Sequence, residues 1–63
     1  MKLNDLKGLL GCEIVLYRIP ENGSIYQKVG VDLNQEYKFY HYGNCEVAEI
    51  DSRDKNSISI YLK

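Results

Sequence analysis

Six tyrosines must find places in a chain of only 63 residues, which has one phenylalanine and no tryptophan. Tyrosine joins a large apolar ring to a polar hydroxyl, so it is favoured where a surface buries something and still meets water. A domain of this size has little interior in which to hide six such rings. The tyrosine content therefore predicts that some of them lie at an interface.

Length and composition indicate one small folded domain, residues 1–63, near the lower size limit for folding without disulfides or metals. The apolar fraction of 44% and the charged fraction of 27% are typical of a globular chain. The net charge of −1 and the scattered basic residues give no basic stripe of the kind that nucleic-acid binders carry. Nucleic acid is therefore a less favoured partner than protein.

No stretch of the sequence has the pattern of a membrane span or a secretion signal. A spanning helix needs about 20 apolar residues, and the first residues lack the apolar core of a signal peptide. We therefore expect a cytoplasmic protein. In that reducing compartment Cys12 and Cys45 are expected to be thiols, since their spacing fits no zinc or redox motif. A disulfide would require the strands that they precede to be neighbours.

The first half of the chain predicts a short helix and then a hairpin. Near the N-terminus leucines recur at spacings of three and four, as on one face of a helix. They are Leu3, Leu6, Leu9 and Leu10. Residues 12–19 and 24–31 are rich in β-branched and aromatic side chains and predict two strands. Asn22 and Gly23 between them are a strong hairpin signal, because both tolerate positive φ.

Alternation along this hairpin assigns its side chains to two faces. One face carries Ile14, Leu16, Ile25, Val29 and Val31. The other carries Val15, Tyr17, Ile19 and Tyr26. Both faces of the predicted hairpin are therefore apolar.

The aromatic run at residues 37–42 has poor helix propensity and good strand propensity. We predict a short strand there, ended by a turn at Gly43 and Asn44. An irregular aromatic plug is the alternative.

Residues 46–51 and 57–62 predict a second hairpin. An even-numbered loop would place Glu49 and Asp51 on the apolar face of the last strand, and burying unpaired carboxylates is costly. We therefore predict an odd loop of three or five residues. The inner face would then carry Ala48, Ile50, Ile58, Ile60 and Leu62, and the outer face Val47, Ser59 and Tyr61.

These elements predict an α+β fold in which a short N-terminal helix precedes a four- to five-stranded antiparallel sheet of hairpins. The helix would cover one face of the sheet. The other face would keep an apolar patch too large to leave wet without a reason. The alternative is a small Sm-like or SH3-like barrel, which the order of helix and strands resembles loosely.

Candidate chemistry is sparse. His41 would need a nucleophile and an orienting partner to act as a general base, and no such residue is near it in sequence. The acidic residues from Glu46 to Asp54 match no calcium-loop pattern. We therefore expect no catalytic residue, no metal, no cofactor and no enzymatic activity.

The outline of the chain resembles the short, mostly uncharacterised accessory proteins of phages, prophages and plasmids of Gram-positive and gut bacteria. The resemblance rests on the opening Met1-Lys2-Leu3-Asn4-Asp5-Leu6, the hairpin at 14–31, and the apolar patterns at 46–50 and 58–62. It implies a host-takeover or anti-defence role in the bacterial cytoplasm, including inhibition of the anti-CRISPR type.

The sequence therefore predicts a non-enzymatic binding protein that occludes a protein surface and also self-associates, either side by side through a strand edge or face to face. Large aromatic side chains are the usual anchors of such contacts. The candidates are Tyr17, Ile19, Tyr26, Tyr37, Phe39, Tyr40, Tyr42 and Tyr61. The alternative is a small β-domain that binds single-stranded nucleic acid by stacking bases on the same aromatics.

Overall fold

A computed structural model describes residues 1–9, 11–52 and 56–63, with only the backbone described at Leu9. It shows one four-stranded sheet, a 3₁₀ helix and an α-helix. In chain order the elements are the 3₁₀ helix Leu3–Leu9, strand β1 Glu13–Arg18, strand β2 Gln27–Val29, helix α1 Gln35–Tyr42, strand β3 Val47–Asp51 and strand β4 Ser57–Leu62.

The sheet is open and mixed, with strand order β2-β1-β4-β3. The outer pairs are antiparallel, but the central strands β1 and β4 run parallel. Parallel neighbours need a long crossover, and here the crossover contains α1. The predicted all-antiparallel sheet is therefore wrong, and the sheet does not close into the alternative barrel.

The core lies between the sheet and the two helices. Each of its members is at most 4% exposed. They are Leu3, Ile14, Leu16, Phe39, Ile60 and Leu62. Leu3 comes from the 3₁₀ helix and Phe39 from α1, so both helices pack on the same face of the sheet.

The first hairpin has the predicted faces but a shorter second strand. Leu16 pairs with Val29, which places both on the inner face. The connection from Arg18 to Gln27 is longer than a tight turn, so Ile25 lies outside the strands and is exposed. Val31 likewise lies beyond β2 and is exposed.

The second hairpin has the predicted odd-loop parity, since Ile50 pairs with Ile60 and Asp51 with Ser59. Residues 53–55 of its loop lie outside the described residues. A register shift between Val47 and Glu49 changes two assignments, since Ala48, predicted on the inner face, is the extra residue and is exposed. Val47 was predicted on the outer face, but it pairs with Leu62 and packs against the core. A bulge adds one residue to a strand, so it reverses the alternation that the prediction assumed.

Residues 37–42 form most of α1, so the predicted short strand is wrong. Asn34 caps the helix, because its side-chain Oδ1 accepts a hydrogen bond from Tyr37 N at 3.0 Å. Within the helix, Phe39 turns into the core. Capping and burial together outweigh the weak helix propensity of the aromatic run.

The short N-terminal helix that was predicted is a 3₁₀ helix, and the α-helix of the fold is not N-terminal but lies between β2 and β3. The backbone of the N-terminal segment is tied to the end of α1, since Asn4 N donates to the Gly43 carbonyl at 2.9 Å and Leu3 N to that of Cys45 at 3.0 Å. The backbone of Lys2 also forms an isolated antiparallel β-bridge with that of Glu46, beside β3. The segment therefore joins α1 to the edge of the sheet.

Side chains of α1 occupy the edge of β1 where β2 has ended. Gln35 Oε1 accepts from Ile14 N at 3.1 Å, and the Gln35 amide donates to the Cys12 carbonyl. Lys38 Nζ donates to the Ile14 carbonyl. Backbone groups at a strand edge need partners. These two side chains supply them in place of a longer β2.

Truncation of Gln35 to alanine should lower the free energy of unfolding by about 1 kcal/mol, because it removes the partners of Ile14 N and the Cys12 carbonyl at a half-buried site. Gln27→Ala removes the same type of side chain from an exposed position of β2. It should change stability by less than about 0.5 kcal/mol. Urea unfolding followed by circular dichroism measures both, and equal effects would contradict the role given to Gln35.

Candidate protein-binding surfaces

Three tyrosines cluster on the face of the sheet opposite the helices. The Tyr17 and Tyr61 rings stack with centroids 5.0 Å apart and planes at 18°, and the Tyr26 ring meets Tyr61 edge-on at 4.9 Å. We call this the sheet surface: Val15, Tyr17, Tyr26 and Tyr61. The sequence prediction that these three tyrosines share the uncovered face is confirmed.

Alternation along the central strands produces this surface. Tyr61 lies between Ile60 and Leu62, which are buried on the other face. Tyr17 follows Leu16 in the same way and pairs with Tyr61 across the parallel ladder. Because both helices pack on the inner face, neither covers the tyrosines. Tyr17 and Tyr61 stay half-buried through contact with each other.

Opposite charges border the sheet surface. Across the strands one continuous row reads Lys28, Tyr17, Tyr61 and Glu49. Both charged side chains are exposed. Lys28 lies on edge strand β2 and Glu49 on edge strand β3. The sheet surface thus has a basic border on one side and an acidic border on the other.

Sequence reasoning singled out neither Lys28 nor Glu49 as a site residue. Strand alternation in the sequence already places Lys28 on the face of Tyr26, and hairpin parity places Glu49 on the face of Tyr61. The four residues form one row across the sheet because β1 and β4 pair in parallel. That pairing was the missing information.

A second group of aromatics lies on α1, at a spacing of three and four residues that places side chains on one side of a helix. Tyr37 is 55% exposed and Tyr40 is 82% exposed. The ring of Tyr40 meets that of His41 edge-on at 5.6 Å. We call Tyr37, Tyr40 and His41 the helix surface.

Three other predicted interface residues have different surroundings. Phe39 is 4% exposed and belongs to the core, so its prediction as a contact residue is corrected. Tyr42 is half-buried and packs against that core. Ile19 lies directly after β1 and is 40% exposed. A strand would have placed Tyr42 on the same face as Tyr40, whereas the helix places it on the side of Phe39, three residues earlier.

Among the described residues no group of three or more histidine, cysteine, aspartate or glutamate side chains is placed to hold a metal ion. Cys12 precedes β1 and Cys45 precedes β3, with β4 between those strands, and both cysteines are free. Their half-buried positions give them the role of small apolar side chains.

Neither helix formed by the described residues has the length and the apolar content of a membrane span. No protein-family model, curated protein or solved structure matches this chain.

Proposed function

We propose that this chain is a small non-enzymatic binding protein of the phage or mobile-element type, which acts in the bacterial cytoplasm by covering part of a protein surface. One observation carries the proposal. None of the six tyrosines is in the buried core, and five of them form the sheet surface and the helix surface.

The core does not need these tyrosines, because aliphatic side chains and Phe39 fill it. Large rings outside a core bring apolar area to a protein contact with few rotatable bonds, and they are enriched among the residues that dominate binding energy. Their hydroxyl groups can hydrogen-bond to water while no partner covers the surface. The two surfaces therefore have the composition of contact sites.

Occlusion is a function that needs no reactive group. A chain of 63 residues can inhibit a larger protein by occupying the site of that protein's substrate or partner. The resemblance to phage and plasmid accessory proteins adds the context of host defence, where inhibition of the anti-CRISPR type works in this way. The helix surface is the side that we assign to a target, because Tyr40 is the most exposed of the large apolar side chains described.

Photo-crosslinking in bacterial cells tests the proposal. A benzophenone side chain in place of Tyr26 or Tyr40 should give discrete protein adducts after irradiation, because each position would be covered by a partner. The same group at Asn22, exposed at the tip of the hairpin loop, should give none. Absence of adducts from both tyrosine positions, or equal labelling from Asn22, would contradict the proposal.

Single-stranded nucleic acid is the second candidate, and the stacked Tyr17 and Tyr61 rings beside Lys28 favour it. Stacked aromatics on an open sheet are a common platform for bases. Against it, Glu49 borders the same rings and the chain has no basic excess. Salt-dependent binding of a labelled oligonucleotide would support this candidate, and no binding at low salt would dismiss it.

A further inference from the structure

We infer that the partner of the sheet surface is a second copy of this chain, in a face-to-face dimer whose two-fold axis runs nearly along the strands. The inference rests on the proposed function in one respect, namely that the sheet surface is a contact surface. It adds the identity of the occupant and the geometry of the contact.

The row across the sheet carries the inference. It reads Lys28, Tyr17, Tyr61 and Glu49, with one strand contributing each residue. A two-fold axis that lies between the two sheets, parallel to the strands and above the gap between β1 and β4, reverses this order in the partner. Lys28 then faces the partner's Glu49, and Tyr17 faces the partner's Tyr61. The symmetry repeats each pair, so an isologous contact contains two ion pairs around a tyrosine centre.

Charge selects this axis over the alternative. A two-fold axis across the strands would keep the order of the row. Glu49 would then face the partner's Glu49, and Lys28 the partner's Lys28. Like charges in register across an interface suppress a mode of association. Only the axis along the strands makes the row complementary to its own copy.

The dimensions of the sheet are compatible with this packing. Sheets packed face to face lie about 10 Å apart and cross at about −30°. A two-fold axis inclined by roughly 15° to the strands gives that crossing angle. The face itself is small, since four strands about 4.8 Å apart measure roughly 14 Å between the axes of the outer strands, so we expect a dimer weaker than a standard-size interface would give.

The dimer would turn α1 of each copy outward, away from the contact. Tyr37 and Tyr40 would remain exposed on both outer sides, so the assembly would present two helix surfaces to a target. Self-association and target binding therefore use different tyrosines and can be tested separately.

Sedimentation equilibrium over a wide concentration range tests the dimer, with two charge reversals as probes. Lys28→Glu places a carboxylate opposite the partner's Glu49, and Glu49→Lys places two ammonium groups together. Each change acts twice in a symmetric dimer, so each variant should weaken dimerisation at least tenfold. An equimolar mixture of the two variants should restore it, because both pairs become complementary in the mixed dimer.

Lys7→Glu is the matched control, since Lys7 is exposed on the 3₁₀ helix and lies outside the row. It should leave dimerisation unchanged, as should Tyr40→Ala. A wild-type chain that stays monomeric at every concentration would overturn the inference. A dimer that is indifferent to both single reversals would overturn it as well, because another face would then form the contact.

Failure of the inference and failure of the proposed function give different results. A monomeric chain that crosslinks to another protein through position 26 would contradict the dimer but support the binding function. A monomer without adducts from position 26 or position 40 would sink both. Adducts at position 26 that contain only a second copy would support the inference directly.

Discussion

Phe39→Ala should lower the free energy of unfolding by about 3–5 kcal/mol, whereas Tyr40→Ala, one position along the same helix, should change it by less than about 0.5 kcal/mol. Phe39 is the residue that α1 contributes to the buried core and is 4% exposed, whereas Tyr40 is 82% exposed. A domain of this length has a total stability of roughly 3–9 kcal/mol. The Phe39 change should therefore remove at least about a third of that stability, and all of it if the stability lies at the lower end of the range.

Urea unfolding monitored by far-ultraviolet circular dichroism measures both variants. Phe39→Leu supplies the intermediate case, because it keeps most of the apolar volume and should cost less than the alanine change. Similar losses for Phe39→Ala and Tyr40→Ala would mean that α1 presents a different side to the sheet. The assignment of Tyr37 and Tyr40 to an exposed helix surface would then fall with it.

The local parts of the fold were predictable from the sequence because they depend on alternation alone. Period-two patterning placed Tyr17, Tyr26 and Tyr61 on one face, and the ring contacts confirm it. The same patterning gave the parity of the second hairpin, with Ile50 beside Ile60. Burial of one face fixes the register strongly, so these features can be predicted without knowledge of the rest of the fold.

The predictions that were wrong concern features that depend on contacts between distant segments. The strand predicted at residues 37–42 followed aromatic propensity, whereas the helix is held by the Asn34 cap and by the burial of Phe39. The cap was a visible signal, since asparagine before a possible helix satisfies its first free amides. The bonds from Gln35 and Lys38 to β1 had no such signal, because they depend on where β2 ends.

The parallel pairing of β1 with β4 was also beyond local reasoning. Two hairpins in sequence favour an antiparallel arrangement, and only the placement of α1 across the inner face makes the central pair parallel. This pairing brings Tyr17 beside Tyr61 and completes the row from Lys28 to Glu49. The sheet surface as a binding site thus follows from a long-range contact, although its tyrosines follow from local alternation.

Gly43→Ala should lower the free energy of unfolding by about 2–3 kcal/mol, the upper part of the range for overpacking. Gly43 has an ordinary φ of −59°, so the requirement for glycine is close approach and not backbone conformation. A Cβ there would lie closer than 3.0 Å to both Asn4 Oδ1 and the Phe39 carbonyl oxygen. The Asn4 side chain can move, but the Phe39 carbonyl belongs to the backbone of α1.

Gly8→Ala is the matched control, because a Cβ at Gly8 meets nothing within 4 Å. It should be neutral or stabilising by up to about 1 kcal/mol, since alanine restricts the unfolded chain. Thermal and urea unfolding of both variants measure the difference. The double variant Asn4→Ala/Gly43→Ala should recover only part of the loss, because the clash with the Phe39 carbonyl remains. Full recovery would show that the Asn4 side chain alone sets the demand for glycine where the N-terminal segment meets the end of α1.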